Sequence, residues 1–547
     1  MSEIPAGEVV AAFLEAAGVE TAFGVISIHN MPMLDAIGRR NRIRFVPARG
    51  EAGAVNMADA HARVSGGLGV AFTSTGTGAG NACGALVEAQ TAGTPLLHLT
   101  GQIETAFLDQ DRGYIHEARD QLTMLRGASK AALRVRCAAD LPGALREAAR
   151  IARTPPGGPV SVEIPIDIQE GSLARPSSLA PLPPDRPEPD AAALDQLADA
   201  LAAARRPMLW LGGGAAGAAA EARALARLGF GIVTSIHGRG TIPEGDPMSL
   251  GAFNLQPPVE AFYAGCDAML VVGSRLRGNE TFKYRLALPR PLYRIDADPR
   301  ADGRSYANDI FVHGDAANAM AGLAERLRGR MDIEPALAPD LAAARLAAEA
   351  GLRATLGPYE RLMDDVQGAV PDDVVWVRDI TLSNSSWGNR APRLSGPRCG
   401  VHALGGGIGQ GLPMAIGAAL AAPGRKTVAL VGDGGLALSL GEIATLVQER
   451  ADVALIAMND RGYGVIRNIQ DRGYGGRHLY TDLALPDLAA LAGGLGLPFR
   501  RVGDVAGMRA ALDRAIAADG PSMVEIDMTA IGPFAIPFAG PPVRAKG

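Results

Sequence analysis

Two acidic motifs and a pair of histidines are the residues of this 547-residue chain best placed to do chemistry. In the last third, the apolar run TVALV leads into Gly432-Asp433-Gly434-Gly435, and a second run, VALIAM, delivers Asn459 26 residues after Asp433. That spacing fits one turn, one helix and one returning strand, so both side chains emerge at the same sheet edge. A carboxylate and an amide oxygen are hard ligands suited to Mg2+ or Ca2+, and Mg2+ with few protein ligands completes its octahedron with phosphates and water. The flanking glycines let backbone approach a diphosphate, and the helix expected in LSLGEIATLVQER (438–450) points its N-terminus at it. In the first third, RFVPARG ends in Glu51 at the head of AGAVNMADAHARVSG. An acid there either caps a helix or takes part in proton chemistry. His29 in GVISIHNMPML and His116 in YIHEARDQ lie on expected loops, where an imidazole can shuttle protons at neutral pH. His61, His98, His237 and His313 read as structural.

The elements that must carry these residues follow from the patterning. Short β-branched runs alternate with amphipathic Ala/Leu segments throughout, the mark of βα units on parallel sheets. ETAFGV, RFVPA, GVAFTST and TPLLHLTG read as strands of a first block, and PMLWLGG, GIVTSI, AMLVVGS and PLYRIDAD as strands of a second. VVWVRDI, TVALVGDG, VALIAMND and SMVEIDM do so in a third. The proline-rich stretch 176–189 is an extended linker by composition, and an Ala-rich helical segment at 335–356 forms a second seam. Three α/β blocks result, each a doubly wound parallel sheet, at 1–175, 190–330 and 356–547. The first and third share size and layout. Ligand sites on such sheets lie beyond the carboxyl ends of the strands, where many of the 69 glycines cluster.

Composition narrows the function. A net charge of −5 without long runs of either sign argues against nucleic acid or an anionic membrane as main partner. Only four lysines stand among 53 basic residues, and no G-K-[ST] occurs, which excludes a P-loop NTPase and leaves few candidates for a Schiff base. Cys83, Cys137, Cys266 and Cys399 form no C-x-x-C pair, as expected in a reducing cytosol. The N-terminal stretch is acidic and amphipathic, unlike a signal peptide, and no uninterrupted apolar run reaches spanning length. A cytoplasmic protein is expected.

With the GDG–N spacing in view, the sequence resembles the thiamine diphosphate (ThDP) enzymes, of the acetolactate synthase-like and benzoylformate decarboxylase-like group. The resemblance covers essentially the whole chain and implies pyrimidine-binding, middle Rossmann-like and diphosphate-binding domains for the three blocks. It implies that Asp433, Asn459 and the Arg461 carbonyl hold Mg2+. Gly432, Gly434, Gly435, Gly462, Tyr463, Gly464 and Ser383 would then surround the diphosphate. In GGGIGQGLPMAIGAA (405–419), Ile408 matches the residue that wedges the cofactor into its bent shape, and groups around Gly406 and Ile408 would hold the aminopyrimidine. Glu51 resembles the glutamate that bonds N1′ of the pyrimidine and controls its tautomer, so that the cofactor becomes a carbon nucleophile. GVAFTSTGTGAGNACGAL (69–86) is also similar to the family. Pyrimidine and diphosphate domains of different subunits meet in relatives, which implies a homodimer or homotetramer with active sites at the subunit interface.

The resemblance implies cleavage or formation of a carbon–carbon bond next to a carbonyl. The substrate would be a small 2-oxo acid or related acyl donor, with an aldehyde or ketone acceptor in carboligation, and His29 and His116 would serve proton transfer. The alternative is non-oxidative decarboxylation releasing an aldehyde. From other classes, a nucleotide-dependent oxidoreductase and a non-catalytic subunit with this fold remain. The first is disfavoured because WLGGGAAG (210–217) lacks a clear G-x-G-x-x-G with its acid, the second by retention of Glu51 and Asp433–Asn459. Relatives use the middle domain for FAD, ADP or nothing, and FAD is not favoured here. Where acetolactate synthases show an acid–arginine pair, the chain reads Gly273-Ser274-Arg275-Leu276-Arg277-Gly278-Asn279. Benzoylformate decarboxylases carry histidines where this chain has Ser74 and the His-free stretch 271–285, and Ile26-Ser27 replaces the usual Pro-Gly. Lys130 resembles a lysine that many relatives carry.

Overall fold

Each block builds a parallel sheet, and the order of the strands decides where a ligand can enter. The structure, a computed structural model, describes residues 3–540. In the first sheet the order from edge to edge is Arg44–Pro47, Thr21–Gly24, Gly69–Thr73, Leu96–Gln102, Pro159–Pro165 and Ala131–Arg134. In the third it is Gly400–His402, Val375–Arg378, Thr427–Gly432, Val453–Asn459, Ser522–Asp527 and Phe499–Val502. Counted along the chain within each sheet, both read 2-1-3-4-6-5. The middle sheet, Gly231–Thr234, Pro207–Leu211, Ala268–Val272, Leu292–Asp296 and Ile310–His313, reads 2-1-3-4-5. All three are parallel throughout, and central strands such as Thr427–Gly432 are buried along their whole length, as expected when helices cover both faces.

In such an order the winding reverses between strands 1 and 3, and the loops leaving those two strands part to leave a crevice. In the third sheet these loops start at Asp379 and Asp433, and in the first they carry His29 and Ser74. The strands that the patterning does not predict are mostly short or toward sheet edges: Ala131–Arg134, Ile310–His313, Gly400–His402 and the arginine-bearing Phe499–Val502, the antiparallel pair Glu3–Pro5 and Ser172–Ala174, and the buried Pro159–Pro165. The helix expected from Leu438 is instead split into Asp433–Leu438 and Glu442–Gln448 by a turn in which Glu442 N donates to Ser439 O. Residues 177–190 form neither helix nor strand, and helix Leu337–Ala354 buries Leu341, Ala348 and Leu352 in a core shared with Val233 and Trp376. Among the described residues no helix is long and apolar enough to cross a membrane.

First and third blocks pack through the helices Glu51–Ser65 and Gly411–Ala421, whose facing residues are small. A Cβ on Gly417 would overlap the backbone carbonyl of Met57, so only glycine permits this approach. Gly417→Val is therefore expected to lower stability by about 1–3 kcal/mol or more, because backbone cannot yield as a side chain would. Gly38→Ala, whose Cβ meets open space in helix Met31–Arg40, should raise it by about 0.5–1 kcal/mol. Denaturant midpoints of the two variants check this, and a Gly417→Val protein as stable as the parent would contradict the packing account.

Candidate active site

The crevice of the third sheet opens into a cavity of about 710 Å3. On its floor, Asp433 follows strand Thr427–Gly432, is only 2% exposed, and accepts hydrogen bonds from Gly462 N at 2.8 Å and Asp460 N at 3.3 Å. The half-buried Asp460 carboxylate faces it. Burial, and then the like charge of Asp460, push the Asp433 carboxyl up to about 7, and burial raises Asp460 as well. Two carboxylates in this position repel unless a proton or a cation lies between them. The glycines are there for close approach. A Cβ on Gly434 would lie 2.8 Å from the Tyr463 ring and 3.1 Å from the Gly462 carbonyl, and one on Gly464 would overlap the Asp460 carboxylate.

Here the structure departs from the sequence expectation. Gly406, Ile408, Gly432, Asp433, Gly434, Gly435, Gly462, Tyr463 and Gly464 all line the cavity, but Asn459 and Arg461 do not. Asn459 is the last residue of its strand; its Nδ2 donates to Glu525 Oε1 at 2.7 Å and its Oδ1 accepts from Arg461 N at 3.0 Å. The Arg461 carbonyl accepts from Leu483 N. Asp460, one residue on, takes the cavity position. No cluster of three or more His, Cys, Asp or Glu among the described residues could hold an ion alone. Asp433, Asp460 and the Gly462 carbonyl form a hard oxygen set that a cation such as Mg2+ would share with phosphate oxygens.

The opposite wall comes from the loop after strand Val375–Arg378. Ser383 is fully buried behind the lining, while Asn384, Ser385 and Ser386 reach it. Ser383 Oγ, Asn384 Oδ1, Ser386 Oγ and Gln410 Oε1 are all enclosed without a protein partner. Buried polar atoms are seldom left unpaired, so this row fits a polar ligand: the hydroxyls can donate to phosphate oxygens, and the amide oxygens would accept from a donor. Asp379, which the sequence reading passed over, organises this wall. Its carboxylate accepts from Gly409 N at 3.0 Å and Ile380 N at 2.7 Å, and burial still pushes its pKa up to about 6. Its place at the end of an apolar strand was the available signal. A second support reaches across from the first block: Glu88 accepts from Leu404 N at 2.6 Å and from Gly405 N, and Arg63 donates to Glu88 at 2.9 Å and to His402 O at 2.7 Å. This network fixes the loop that presents Gly406 and the 37% exposed Ile408.

Glu51, His29 and His116 lie in the first block and do not line this cavity. Glu51 opens helix Glu51–Ser65; one of its oxygens accepts from Asn81 Nδ2 at 3.2 Å, and the other sits beside Gly78. The two histidines, far apart in sequence, meet with Nδ1 to Nδ1 at 3.1 Å, so one nitrogen must donate and the other accept. Burial, and then His116, lower the pKa of His29, whose carbonyl accepts from Gln169 Nε2. His98 is fixed between Thr73 and Ser161 hydroxyls and kept neutral by burial, at about 3. Lys130 donates to the carbonyls of Ile151, Thr154 and Pro156, which gives it a structural place. At the middle sheet a separate cavity of about 400 Å3 is lined by Gly213, Gly214, Gly273, Arg275 and Asp298 among others.

Comparison with known proteins agrees with this layout. The family patterns described as "Thiamine pyrophosphate enzyme, N-terminal TPP binding domain", "central domain" and "C-terminal TPP binding domain" match residues 4–124, 194–323 and 383–526. The chain is 32% identical to a probable 2-ketoarginine decarboxylase of Pseudomonas aeruginosa, over 96% of this chain and 94% of that protein. It is 28% identical to the acetolactate synthase isozyme 1 large subunit of Escherichia coli, over 96% and 94%. It is 29% identical to a probable chloroplastic acetolactate synthase 2 of Oryza sativa subsp. japonica, over 96% and 83%.

The positions of Asp460 and Asn459 separate two outcomes. Asp460→Ala should weaken divalent-cation binding by roughly 100-fold, and Asn459→Ala by roughly tenfold at most, since its amide acts only behind the site. Titration calorimetry with Mn2+ and inorganic diphosphate measures both, and a larger loss from Asn459→Ala would reverse the assignment.

Proposed function

We propose that the chain, which belongs to the thiamine pyrophosphate enzyme family, cleaves or forms the carbon–carbon bond next to the carbonyl of a small 2-oxo acid. The observation that carries this reading is the cavity in which Asp433 and Asp460 face a wall of unpartnered hydroxyls and amides. In this reading residues 1–175, 190–330 and 356–547 act as pyrimidine-binding, middle and diphosphate-binding domains. Asp433, Asp460 and the Gly462 carbonyl hold Mg2+, which screens the cofactor diphosphate. Gly432, Gly434 and Gly435 admit it closely, and Ser385 and Ser386, which reach the lining where Ser383 does not, donate hydrogen bonds to it. Bound there, thiamine diphosphate supplies an electron sink that a chain with four lysines hardly offers by itself. Gly406 and Ile408, which line the cavity, would hold its aminopyrimidine.

Glu51 would hold a proton at the pyrimidine ring. Because Glu51 does not line the cavity of its own chain, a second copy supplies it, and the protein is a homodimer or homotetramer with sites between subunits. His29 and His116 pass one proton across their 3.1 Å contact. The overall reaction neither gains nor loses electrons, so a flavin is not required. The described residues hold four free cysteines and no membrane-crossing helix, which supports a cytoplasmic enzyme.

Carboligation and simple decarboxylation share every one of these groups. Similarity to acetolactate synthases supports the first. The second is favoured by similarity to a 2-ketoarginine decarboxylase and by the segment 273–279, which lacks the acid–arginine pair. Product analysis with and without an added aldehyde or ketone separates them: a hydroxyketone marks carboligation, and aldehyde with CO2 alone marks decarboxylation. Glu51→Gln is expected to lower turnover by about 100-fold or more while thiamine diphosphate still binds, because the cavity itself is untouched. Full activity of that variant would remove the central role of Glu51.

A further inference from the structure

Beyond the groups that suit a diphosphate, the cavity contains a guanidinium with no partner. Arg390 follows the irregular helical turn Asn384–Gly388 and lines the cavity with Gln256, Asn279 and Asn389. Its Nε is enclosed and unbonded, and its guanidinium forms no ion pair among the described residues. Among the described residues Arg378 likewise has no acid partner but bonds Gly388 O and Asn389 Oδ1, and four other nearby arginines are paired with acids. Arg239 grips Glu244 with two bonds of 2.7 Å, Arg345 and Arg393 share Glu349, and Arg353 binds Asp364. Glu280, the acid whose charge Arg390 feels, accepts from Ile236 N at 2.5 Å and stands beyond ion-pair distance. Burial and the neighbouring Arg239 draw the Arg390 pKa down to about 10, which leaves it cationic at neutral pH.

A half-buried guanidinium whose Nε is enclosed and unbonded is costly to leave unpaired, and its fork is satisfied best by a carboxylate. Apart from Asp433 and Asp460, the described lining of this cavity has no carboxylate, and those of the small adjoining cavity that Arg390 also borders, Glu244, Glu349 and Asp364, are each held by another arginine. A ligand entering the larger cavity can supply the anion. The carboxylate that leaves as CO2 is the wrong one. Its charge departs in the transition state, so an ion pair to it would stabilise the reactant and slow the step. A carboxylate that does not react can be held throughout. We infer that Arg390 binds a second, non-reacting carboxylate, so that the chain prefers 2-oxo acids bearing an acidic group at the far end. This rests on the reading of the cavity as the 2-oxo acid site. Ile236 and Leu255 beside it would flank the intervening methylenes.

The test compares 2-oxoglutarate with 2-oxopentanoate, equal in chain length, by initial CO2 release from the holoenzyme with thiamine diphosphate and Mg2+. The parent should favour the diacid in kcat/KM by about tenfold or more, mainly through KM. In Arg390→Gln and Arg390→Met that ratio should collapse toward one, with cofactor affinity and thermal midpoint unchanged. No preference in the parent, or an unchanged ratio in the variants, overturns the inference. A loss of thiamine diphosphate affinity in the variants also overturns it, by assigning Arg390 to the cofactor. A separate calorimetric titration with glutarate and with pentanoate needs no turnover. Glutarate should bind the parent more tightly, and only while Arg390 is present. If neither oxo acid reacts yet glutarate still binds through Arg390, the proposed function falls and the carboxylate site stands. If glutarate does not bind, the site falls whatever the enzyme turns over.

Discussion

The facing of two carboxylates, Asp433 and Asp460, is the constraint around which the third block is arranged. Each would be unremarkable in water, but burial raises both and their mutual repulsion raises Asp433 further. Such a pair persists in a fold only where a shared proton or a cation relieves the repulsion. The surrounding architecture serves that meeting. Parallel pairing of Thr427–Gly432 with Val453–Asn459 brings the two strand ends level, glycine at 464 leaves room for the Asp460 carboxylate, and glycine at 434 lets the 462–463 segment approach. The reversal of winding at the neighbouring strand leaves the crevice into which both open.

The second organising feature is the connection between first and third blocks. Helix Glu51–Ser65 begins with the residue proposed to manage a proton on a neighbouring subunit. Two turns on, it carries Asp59 and Arg63, which with Glu88 hold the loop before Ile408. One rigid helix is thus tied at one end to one cavity and at its middle to another. All three charged groups are almost wholly buried and satisfy one another, so the linkage is stiff.

Much of this was legible in the sequence. Apolar runs ending in glycine and acid located the strands and the edge at which they end, because central parallel strands are buried on both faces and alternate poorly with polar residues. The three blocks and the kinship of first and third followed from the same pattern. The spacing points to Asn459, whereas the structure sets the neighbouring Asp460 in the cavity, and the cause is physical. Asn459 still belongs to the strand, where its side chain turns toward Glu525 on the adjoining strand, and a step of one residue sends the next side chain elsewhere. Spacing alone does not reveal where pairing stops. The contact of His29 with His116, the hub at Asp379 and the unpaired state of Arg390 were equally hidden, since each is a property of chain segments that meet only in the folded molecule. The short strands at and near the sheet edges escaped notice because three or four residues with arginines among them carry little periodicity.

The account stands or falls on where the cation sits. Anomalous diffraction from crystals grown with Mn2+ and thiamine diphosphate locates it directly. The account predicts one peak at about 2.0–2.3 Å from carboxylate oxygens of both Asp433 and Asp460, with diphosphate oxygens completing the shell. A peak coordinated by Asn459, or the cofactor bound with no metal between these two carboxylates, would contradict it.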